Sequence, residues 1–370
     1  MLTTLHIVSF DVPYPPNYGG VIDVFYKLKS LQALGIQIIL HTYEYGRGEQ
    51  EELNKYCKEV HYYKRNNSLK NILSRKPFIV KTRSSENLLN RLRKDHFPIL
   101  FEGLHTTFPL TTNLLKNRIT LVRTHNIEHD YYSGLAKSES SKRKKVFFET
   151  EAKKLSRYER ILKKANYILT ISLFEHEYFK NKFGNKAIYT PVFFNHNEQL
   201  IKSTSEKFAL WHGDLRVSDN QKALLFMIQV FKKLKSPLVV ASSSISDELL
   251  SKLMEHPNIR YERVKDNEHM NQLLQSAHVH PLVSYQKTGI KLRLLNILTQ
   301  GKFIVANNEI IDDTGLENCC YKANTLEEFR AQITKLLAQE YTNQEFEQRK
   351  ELLKKFDPLE SAKKIIALLK

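Results

Sequence analysis

The chain has 370 residues, more than one compact core usually holds, and its 41% hydrophobic content excludes a largely disordered protein. The formal net charge is +17, and residues 1–195 hold most of it, with 32 Lys or Arg against 18 Asp or Glu. No apolar run approaches the roughly 20 residues of a membrane-spanning helix. No signal-peptide pattern opens the sequence, and the three cysteines show no disulfide or metal spacing, so we expect a cytoplasmic location.

The first half alternates between strand-like and helix-like segments, beginning with an apolar strand over 5–10. A loop rich in Pro and Gly follows, and a helix is predicted over 21–34 because Gly35 suits its C-terminal end. The other elements predicted for this half are strands at 36–42, 97–101, 120–123 and 167–171, and a long amphipathic helix at 140–164. Such alternation predicts an α/β domain whose parallel sheet is covered on both faces.

The same alternation starts again near residue 208. A polar stretch at 202–207 separates the two halves, so we expect a first domain of residues 1–195, a second of 196–355 and a C-terminal helix of 356–370. The elements predicted for the second domain are strands at 208–213, 238–242, 259–263, 278–283 and 303–306, and helices at 220–235, 287–300 and 326–337.

Polar or glycine residues follow three strands of the first half, and open parallel sheets bind ligands at that edge. Gly19 and Gly20 separate the first strand from the first helix, in a loop that fits neither the dinucleotide nor the P-loop pattern. Glu102 ends another strand, and His125 and Glu128 follow a third. A histidine beside a carboxylate can bind a hydroxyl or stabilise a transient cation, although a lone His or Glu is more often structural.

The histidines at 125 and 129 are also four residues apart. This spacing can bind a metal ion when both side chains lie on one helix. A metal site needs a third credible ligand, and the sequence shows none near this pair. We therefore expect no metal centre.

Two glycine turns occupy comparable positions in the second half. Gly213 ends a strand, and Arg216 and Lys222 beyond it could clamp a diphosphate or could belong to an ordinary solvated loop. Gly289 lies at a strand-to-helix turn, where backbone N–H groups can approach a phosphate closely. Lys291 follows it and adds a mobile positive charge.

The order and spacing of these motifs resemble the retaining nucleotide-sugar glycosyltransferases of the GT-B type, in particular the family-4-like group, also called group 1. The motifs are residues 15–20, 102–105, 123–128, 212–215, and 289–296 followed by 301–302. The resemblance implies two Rossmann-like domains facing across a cleft, with the last helix crossing back onto the first domain. It also implies that the sugar is transferred with retention of its anomeric configuration and without a bound metal ion.

The resemblance further implies that the first domain holds a glycan or lipid-linked acceptor and that the second holds a UDP- or GDP-sugar. The predicted catalytic residues are His125, Glu102 and Glu128. The residues predicted to bind the diphosphate or nucleotide are Gly19, Gly20, Gly213, Arg216, Lys222, Gly289, Ile290, Lys291, Leu292, Arg293 and Asn296, with Thr288 at the donor sugar.

Two positions depart from the pattern of that family. Thr288 and Asn296 stand where the family usually has two glutamates, the first on the donor sugar and the second on the nucleotide ribose. Thr and Asn still hydrogen-bond hydroxyl groups, but they lack the charged acceptor that makes such bonds strong. A catalytically silent GT-B protein that binds a sugar or a partner is therefore the second hypothesis.

The basic character of the first half suggests an anionic partner. Its densest stretch is 142–145, and further Lys and Arg residues continue to position 164. An anionic lipid-linked acceptor, a negatively charged membrane surface or a nucleic acid would suit this charge. Because no zinc finger or RNA-recognition signature is present, we expect no nucleic acid. The preferred hypothesis is surface polysaccharide or glycolipid synthesis, with peripheral attachment to the inner face of the cell membrane.

Overall fold

The chain forms two compact units in a computed structural model that describes residues 3–195, 207–287 and 292–370. The first unit includes the described residues up to 195 and the C-terminal segment 355–370. The second includes 207–287 and 292–354.

A parallel sheet of seven strands forms the centre of the first unit, in the order β3-β2-β1-β4-β5-β6-β7. The third strand in this order, Thr4–Ser9, is buried along its whole length, because helices cover both faces to which its side chains alternate. The strands are β1 (Thr4–Ser9), β2 (Gln37–Glu44), β3 (Glu59–Lys64), β4 (Ile99–Glu102), β5 (Thr120–Thr124), β6 (Tyr167–Thr170) and β7 (Ala187–Tyr189).

Six α-helices and several single turns of 3₁₀ helix connect these strands. The helices are α1 (Gly19–Ala33), α2 (Phe78–Lys81), α3 (Glu86–Leu92), α4 (Glu128–Ser138), α5 (Lys142–Tyr158) and α6 (Leu173–Phe183). The 3₁₀ turns are Glu51–Lys55, Leu69–Leu73, Leu104–Thr106, Phe108–Thr111, Glu159–Lys164 and Gly184–Lys186.

The second unit has a parallel sheet of six strands in the order β10-β9-β8-β11-β12-β13. Its strands follow one another in the same order as the first six strands of the first sheet. In both sheets the chain moves outward from the first strand to one side and then crosses to the other, the Rossmann order. The strands are β8 (Ala209–His212), β9 (Leu238–Ser242), β10 (Ile259–Arg263), β11 (Val279–Leu282), β12 (Phe303–Ala306) and β13 (Tyr321–Lys322).

The helices of this unit are capped by the expected side chains at several N-termini. Thr325 and Glu328 form a reciprocal capping box, as do Thr342 and Glu345. The helices are α7 (Ser218–Phe231), α8 (Asp247–Met254), α9 (Asn267–Ser276), α10 (Leu292–Gln300), α11 (Asn308–Ile311), α12 (Leu326–Ala338) and α13 (Asn343–Leu353), with 3₁₀ turns at Glu317–Cys319 and Lys354–Phe356.

The last helix, α14 (Pro358–Ala367), packs on the first unit. Asp357 accepts a hydrogen bond from the Leu359 N–H and so caps the helix, and Pro358 fits its first turn. Ile365 is fully buried and shares one hydrophobic core with Leu5 of β1 and with helix α1.

The α/β class and the two Rossmann-like sheets with a returning C-terminal helix confirm the fold predicted from the sequence. The helix predicted over 140–164 is too long, because its last six residues form a 3₁₀ turn. Helix α4 was not predicted. Only Glu128 and Ala136 of that helix are buried, so its sequence lacks the apolar stripe that indicates a helix.

We expect Ile365→Ala to lower the free energy of unfolding by ~2–5 kcal/mol, since it opens a cavity between α14 and α1. Urea unfolding of the full chain measures the change. Lys363→Ala is the control, because this side chain is exposed on the same helix and should change stability by about 0.5 kcal/mol or less. Equal effects of the two substitutions would contradict the packing described for α14.

Candidate functional site

The predicted catalytic residues lie at the carboxyl edge of the first sheet, around the point where the strand order reverses between β1 and β4. Loops leave such a point in opposite directions, and this opens a crevice for ligands. Helix α1 begins there at Gly19, directly after the Pro-rich loop. A Cβ on Gly20 would come 2.5 Å from the ring of Phe10, so only glycine allows the helix to start this close to the end of β1.

Four fully buried charges of helix α1 and strands β4 and β5 form one network beneath this edge. Lys27 Nζ lies 2.8 Å from Asp23 Oδ2 and 2.6 Å from Glu102 Oε1. Arg123 donates to both oxygens of Asp23, at 2.8 and 3.1 Å. The Phe193 N–H also donates to Asp23, at 2.8 Å. Ion pairing and hydrogen bonding together are what allow charges to be buried.

Glu102 connects this network to His125. One carboxylate oxygen accepts from Lys27, and the other lies 3.0 Å from His125 Nε2. Burial favours the neutral acid, but Lys27 and then His125 outweigh it and hold the pKa of Glu102 below its ordinary value. Because a carboxylate only accepts, the proton of a neutral His125 ring lies on Nε2. His125 Nδ1 is then a lone-pair acceptor, buried and without a hydrogen-bond partner among the described residues.

Asp23, Glu102 and His125 bring three possible metal ligands within 4.8 Å of one another. The site nevertheless does not fit a metal ion well. Lys27 and Arg123 already pair the two carboxylates, so the four charges cancel. A divalent cation here would lie beside two buried cations at close range, which is strongly unfavourable at low dielectric.

A second buried group surrounds Phe10, beside His125. The Phe10 ring packs against His105 and His125, with ring centroids 5.1 and 5.3 Å apart. His105 Nδ1 lies 3.9 Å from Glu128 Oε1, and neither atom has a hydrogen-bond partner among the described residues. Arg83 donates to the Phe10 carbonyl at 2.8 Å and so fixes the backbone at Phe10.

The environment changes the pKa of both Glu128 and His105. Burial raises the pKa of Glu128 to about 7, against the smaller lowering effects of Asn126 and Arg83. Burial, and then the Arg83 cation, hold the pKa of His105 well below its ordinary value. At neutral pH, His105 is therefore uncharged and Glu128 is divided between its acid and carboxylate forms.

The i,i+4 metal spacing of His125 and His129 does not bring the two rings to a common site. His125 precedes helix α4 and bonds to Glu102, whereas His129 lies on the helix with its Nε2 2.9 Å from Tyr178 Oη. The spacing would place both rings on one face only if the helix included His125, and it begins at Glu128.

In the second unit, Gly213 follows β8 at the corresponding edge. Arg293 Nη1 donates to the His212 carbonyl at 2.9 Å, and a Cβ on Gly213 would come 3.0 Å from that same nitrogen and from the Trp211 ring. The glycine thus leaves room for the guanidinium beneath the turn. Arg293 is therefore held by the backbone in this structure and positions the Gly213 turn.

Arg216 and Lys222 each contact a neighbouring side chain in this structure. Arg216 forms two hydrogen bonds to the Asp214 carboxylate, at 2.8 and 2.9 Å, and its side chain is 76% exposed. Lys222 Nζ lies 3.8 Å from the centre of the Tyr285 ring. Exposed pairs of this kind hold weakly, so both cations are free to turn toward an anion.

Two of the remaining predicted donor residues lie on helix α10. Leu292 is buried and Asn296 is half-buried on that helix. The predicted donor residues that precede this helix in sequence, Thr288, Gly289, Ile290 and Lys291, lie outside the described residues. At the other end of α10, Gly301 accepts a hydrogen bond from Arg349 at 2.7 Å, and a Cβ there would come 2.5 Å from His280 Nε2.

Sequence reasoning did not identify Asp23, Lys27 and Arg83, and it included His105 only within the motif 102–105. The pair Asp23 and Lys27 did leave a signal, because the two stand four residues apart on the buried side of a helix that is otherwise apolar there. Charged residues in such a stripe must find partners inside the protein. Their partners are far apart in sequence and could not be read from it.

Comparison with solved structures decides the fold. Sucrose-phosphate synthase from Thermosynechococcus elongatus matches 99% of this chain and 98% of its own, with a TM-score of 0.74 at 12% identity. Anabaena HepE, solved with UDP and glucose, matches 99% of each chain with a TM-score of 0.68 at 11% identity. The chain has the GT-B fold.

Comparison with known sequences gives less information about this GT-B protein than comparison with known structures does. No protein-family model matches it. An uncharacterized 44.6 kDa protein from the cps region of Klebsiella pneumoniae is 31% identical over 149 residues, which is 38% of either chain. Among the described residues, no helix is both long and apolar enough to cross a membrane.

We expect Lys27→Met to lower the free energy of unfolding by ~3–5 kcal/mol, because it leaves Glu102 buried without its cation. Lys55→Met is a matched control, since Lys55 also lies 2.6 Å from a carboxylate, that of Glu52, but is exposed. The control should cost less than about 1 kcal/mol. Chemical denaturation measures both. The double variant Lys27→Met, Glu102→Gln should recover part of the loss, and no recovery would contradict the pairing.

The raised pKa of Glu128 predicts a pH-dependent contribution to stability. The folded protein holds this proton more tightly than the unfolded chain, so the contribution falls as pH rises from about 4.5 to about 7 and is constant above. We expect Glu128→Gln to remove that fall and to raise the free energy of unfolding at pH 8 by up to about 3 kcal/mol.

The measurement is the difference between the unfolding curves of the wild type and Glu128→Gln from pH 4.5 to 8. Taking the difference cancels the opposite slope of buried histidines such as His41 and His280, whose lowered pKa makes stability rise with pH. A difference that does not vary with pH would show that Glu128 titrates normally in the folded protein.

Proposed function

We propose that this protein is a glycosyltransferase that moves a sugar from a UDP- or GDP-sugar to a glycan or lipid-linked acceptor. The observation that carries the proposal is the GT-B fold over 99% of the chain, shared with a protein solved with UDP and glucose. A structure from E. coli bound with UDP-2-fluoro glucose also matches 99% of each chain, with a TM-score of 0.64 at 10% identity. The partial relative in a cps region favours surface polysaccharide synthesis.

In this proposal the first domain, residues 1–195 with the C-terminal helix, holds the acceptor, and the second domain holds the nucleotide sugar. His125 contacts the transferred sugar. Its Nε2–H is fixed by Glu102, so its free Nδ1 can accept a hydrogen bond from a sugar hydroxyl. Glu128, with a pKa of about 7, can exchange a proton with the acceptor hydroxyl.

Breaking the bond between sugar and diphosphate leaves negative charge on the leaving group. We propose that the backbone N–H groups of residues 290–292 and the cations of Lys291, Arg216 and Lys222 stabilise that charge. The Asp214 pairing of Arg216 is exposed and therefore weak enough to exchange for a phosphate. With the leaving group neutralised by protein cations, transfer needs no metal ion, and the anomeric configuration is retained.

A silent GT-B protein is the second candidate, and the observation that favours it is the neutral pair Thr288 and Asn296 in place of two glutamates. Such a protein would bind the nucleotide sugar without transferring or hydrolysing it. The two candidates therefore agree on binding and differ on turnover.

Nucleotide binding is the first test. A ligand that binds only the folded state adds about 2.7 kcal/mol at a concentration of 100 times its Kd, so UDP or GDP should raise the melting temperature. CMP and AMP are the controls. No stabilisation by either diphosphate would reject both the glycosyltransferase and a silent protein that binds a nucleotide sugar.

Turnover is the second test. We expect His125→Ala to reduce sugar transfer or donor hydrolysis by roughly 10²–10⁴-fold, because it removes the group that meets the transferred sugar. The melting-temperature shift with UDP or GDP should remain. His96→Ala is the control, since that histidine is exposed in the loop before β4. If His125→Ala transfers sugar as fast as the wild type, the proposed role of His125 is rejected. If the wild type binds the nucleotide but shows neither transfer nor hydrolysis, the silent protein is favoured.

A further inference from the structure

Three apolar side chains protrude into solvent on one part of the first unit. Leu69 and Leu73, at the two ends of a 3₁₀ segment, are 77% and 88% exposed, and Val146, the fifth residue of α5, is 62% exposed. Each exposed apolar residue costs solubility, and a group of them indicates a contact surface.

Contacts between the two segments place these residues in one region. Lys154 Nζ of α5 donates to the Ile72 carbonyl at 2.6 Å, and Glu151 of α5 accepts from the Phe78 N–H at 2.6 Å. The rings of Phe78 and Phe147 pack edge to face at 6.0 Å. The chain from 72 to 78 therefore runs along α5 in the opposite direction, with Ile72 beside the C-terminal half of the helix and Phe78 near its start.

The same two segments are strongly basic. Residues 64–81 contain six Lys or Arg and no Asp or Glu, and residues 140–148 contain four Lys or Arg and no acidic residue. The exposed members nearest the apolar side chains are Lys70, Arg75, Lys142, Arg143, Lys144 and Lys145. We call the residues 69–76 and 142–146 the basic-apolar surface.

We propose that the basic-apolar surface docks on an anionic lipid bilayer. Lys and Arg side chains are attracted to negatively charged headgroups, and aliphatic side chains held out from the backbone enter the boundary with the acyl chains. A nucleic acid would use the charge but not the leucines. The inference extends the proposed function, because this surface would bring the site to a lipid-linked acceptor. The evidence for it, however, is the charge and exposure of these residues and does not depend on the proposed activity.

The test is co-sedimentation of the full chain with vesicles. Phosphatidylcholine vesicles containing roughly 30% phosphatidylglycerol should bind the wild type, and pure phosphatidylcholine vesicles should bind it at least about tenfold more weakly. Lys142→Glu with Lys144→Glu should reduce binding by about tenfold or more at low salt. Leu69→Ser with Leu73→Ser should leave an attraction at low salt that disappears at about 0.5 M salt, where charges are screened.

Matched controls separate this surface from general charge and hydrophobicity. Lys232→Glu with Lys233→Glu changes two exposed basic residues at the end of α7, and Met254→Ser changes an exposed apolar residue of α8. Both controls should bind vesicles like the wild type. Equal losses in the controls, or no binding of the wild type, would overturn the proposal.

Two further outcomes would also overturn it. Loss of self-association in the leucine variant, seen by analytical ultracentrifugation, would make the surface a contact between copies of this chain. Oligonucleotide binding that the lysine variant abolishes and the leucine variant keeps, without vesicle binding, would make it a nucleic-acid surface. The stabilisation of every variant by UDP or GDP is measured in parallel, so a failure of the proposed function is distinguished from a failure of membrane docking.

Discussion

One buried carboxylate determines the geometry of the candidate site. Glu102 accepts from Lys27 with one oxygen and meets His125 with the other, so a charge deep in the first sheet fixes the ring at its edge. Burying four charges is costly, and apolar replacements of such networks are often as stable. We therefore interpret this network as a device that specifies orientation. A ring held through a carboxylate presents one nitrogen, in one tautomer, toward a ligand.

The second unit positions its loops by a different means. Here arginine side chains hold the loops through backbone carbonyls. Arg293 donates to the His212 carbonyl, and Arg349 donates to the Gly301 carbonyl. Gly213 and Gly301 leave the space that these contacts require, since a Cβ at either position would press on a neighbouring side chain. The exposed cations remain in weak pairs. Fixed backbone dipoles with mobile cations suit the binding of a charged group that must later leave.

Much of the fold could be predicted because alternating strand and helix patterns are local. The strands from β8 to β12 were recognised from short apolar runs, and the loop after β8 from Gly213. Helix α4 was missed because it buries almost no apolar side chain. The site was predicted in part. His125 and Glu102 were both predicted at the same edge of the sheet, but their direct contact could not be predicted, since 23 positions with two 3₁₀ turns separate them.

The sequence by itself determined which residues end each strand and therefore which chemical groups gather at the edges of the sheets, because strand periodicity and turn chemistry act over a few residues. Only the tertiary structure decided which of these groups are charged partners. The pairing of Asp23 with Arg123 spans 100 positions, and that of Lys27 with Glu102 spans 75. Burial in a common low-dielectric interior, which no local pattern encodes, makes those pairs necessary and shifts the pKa of Glu128 toward neutrality.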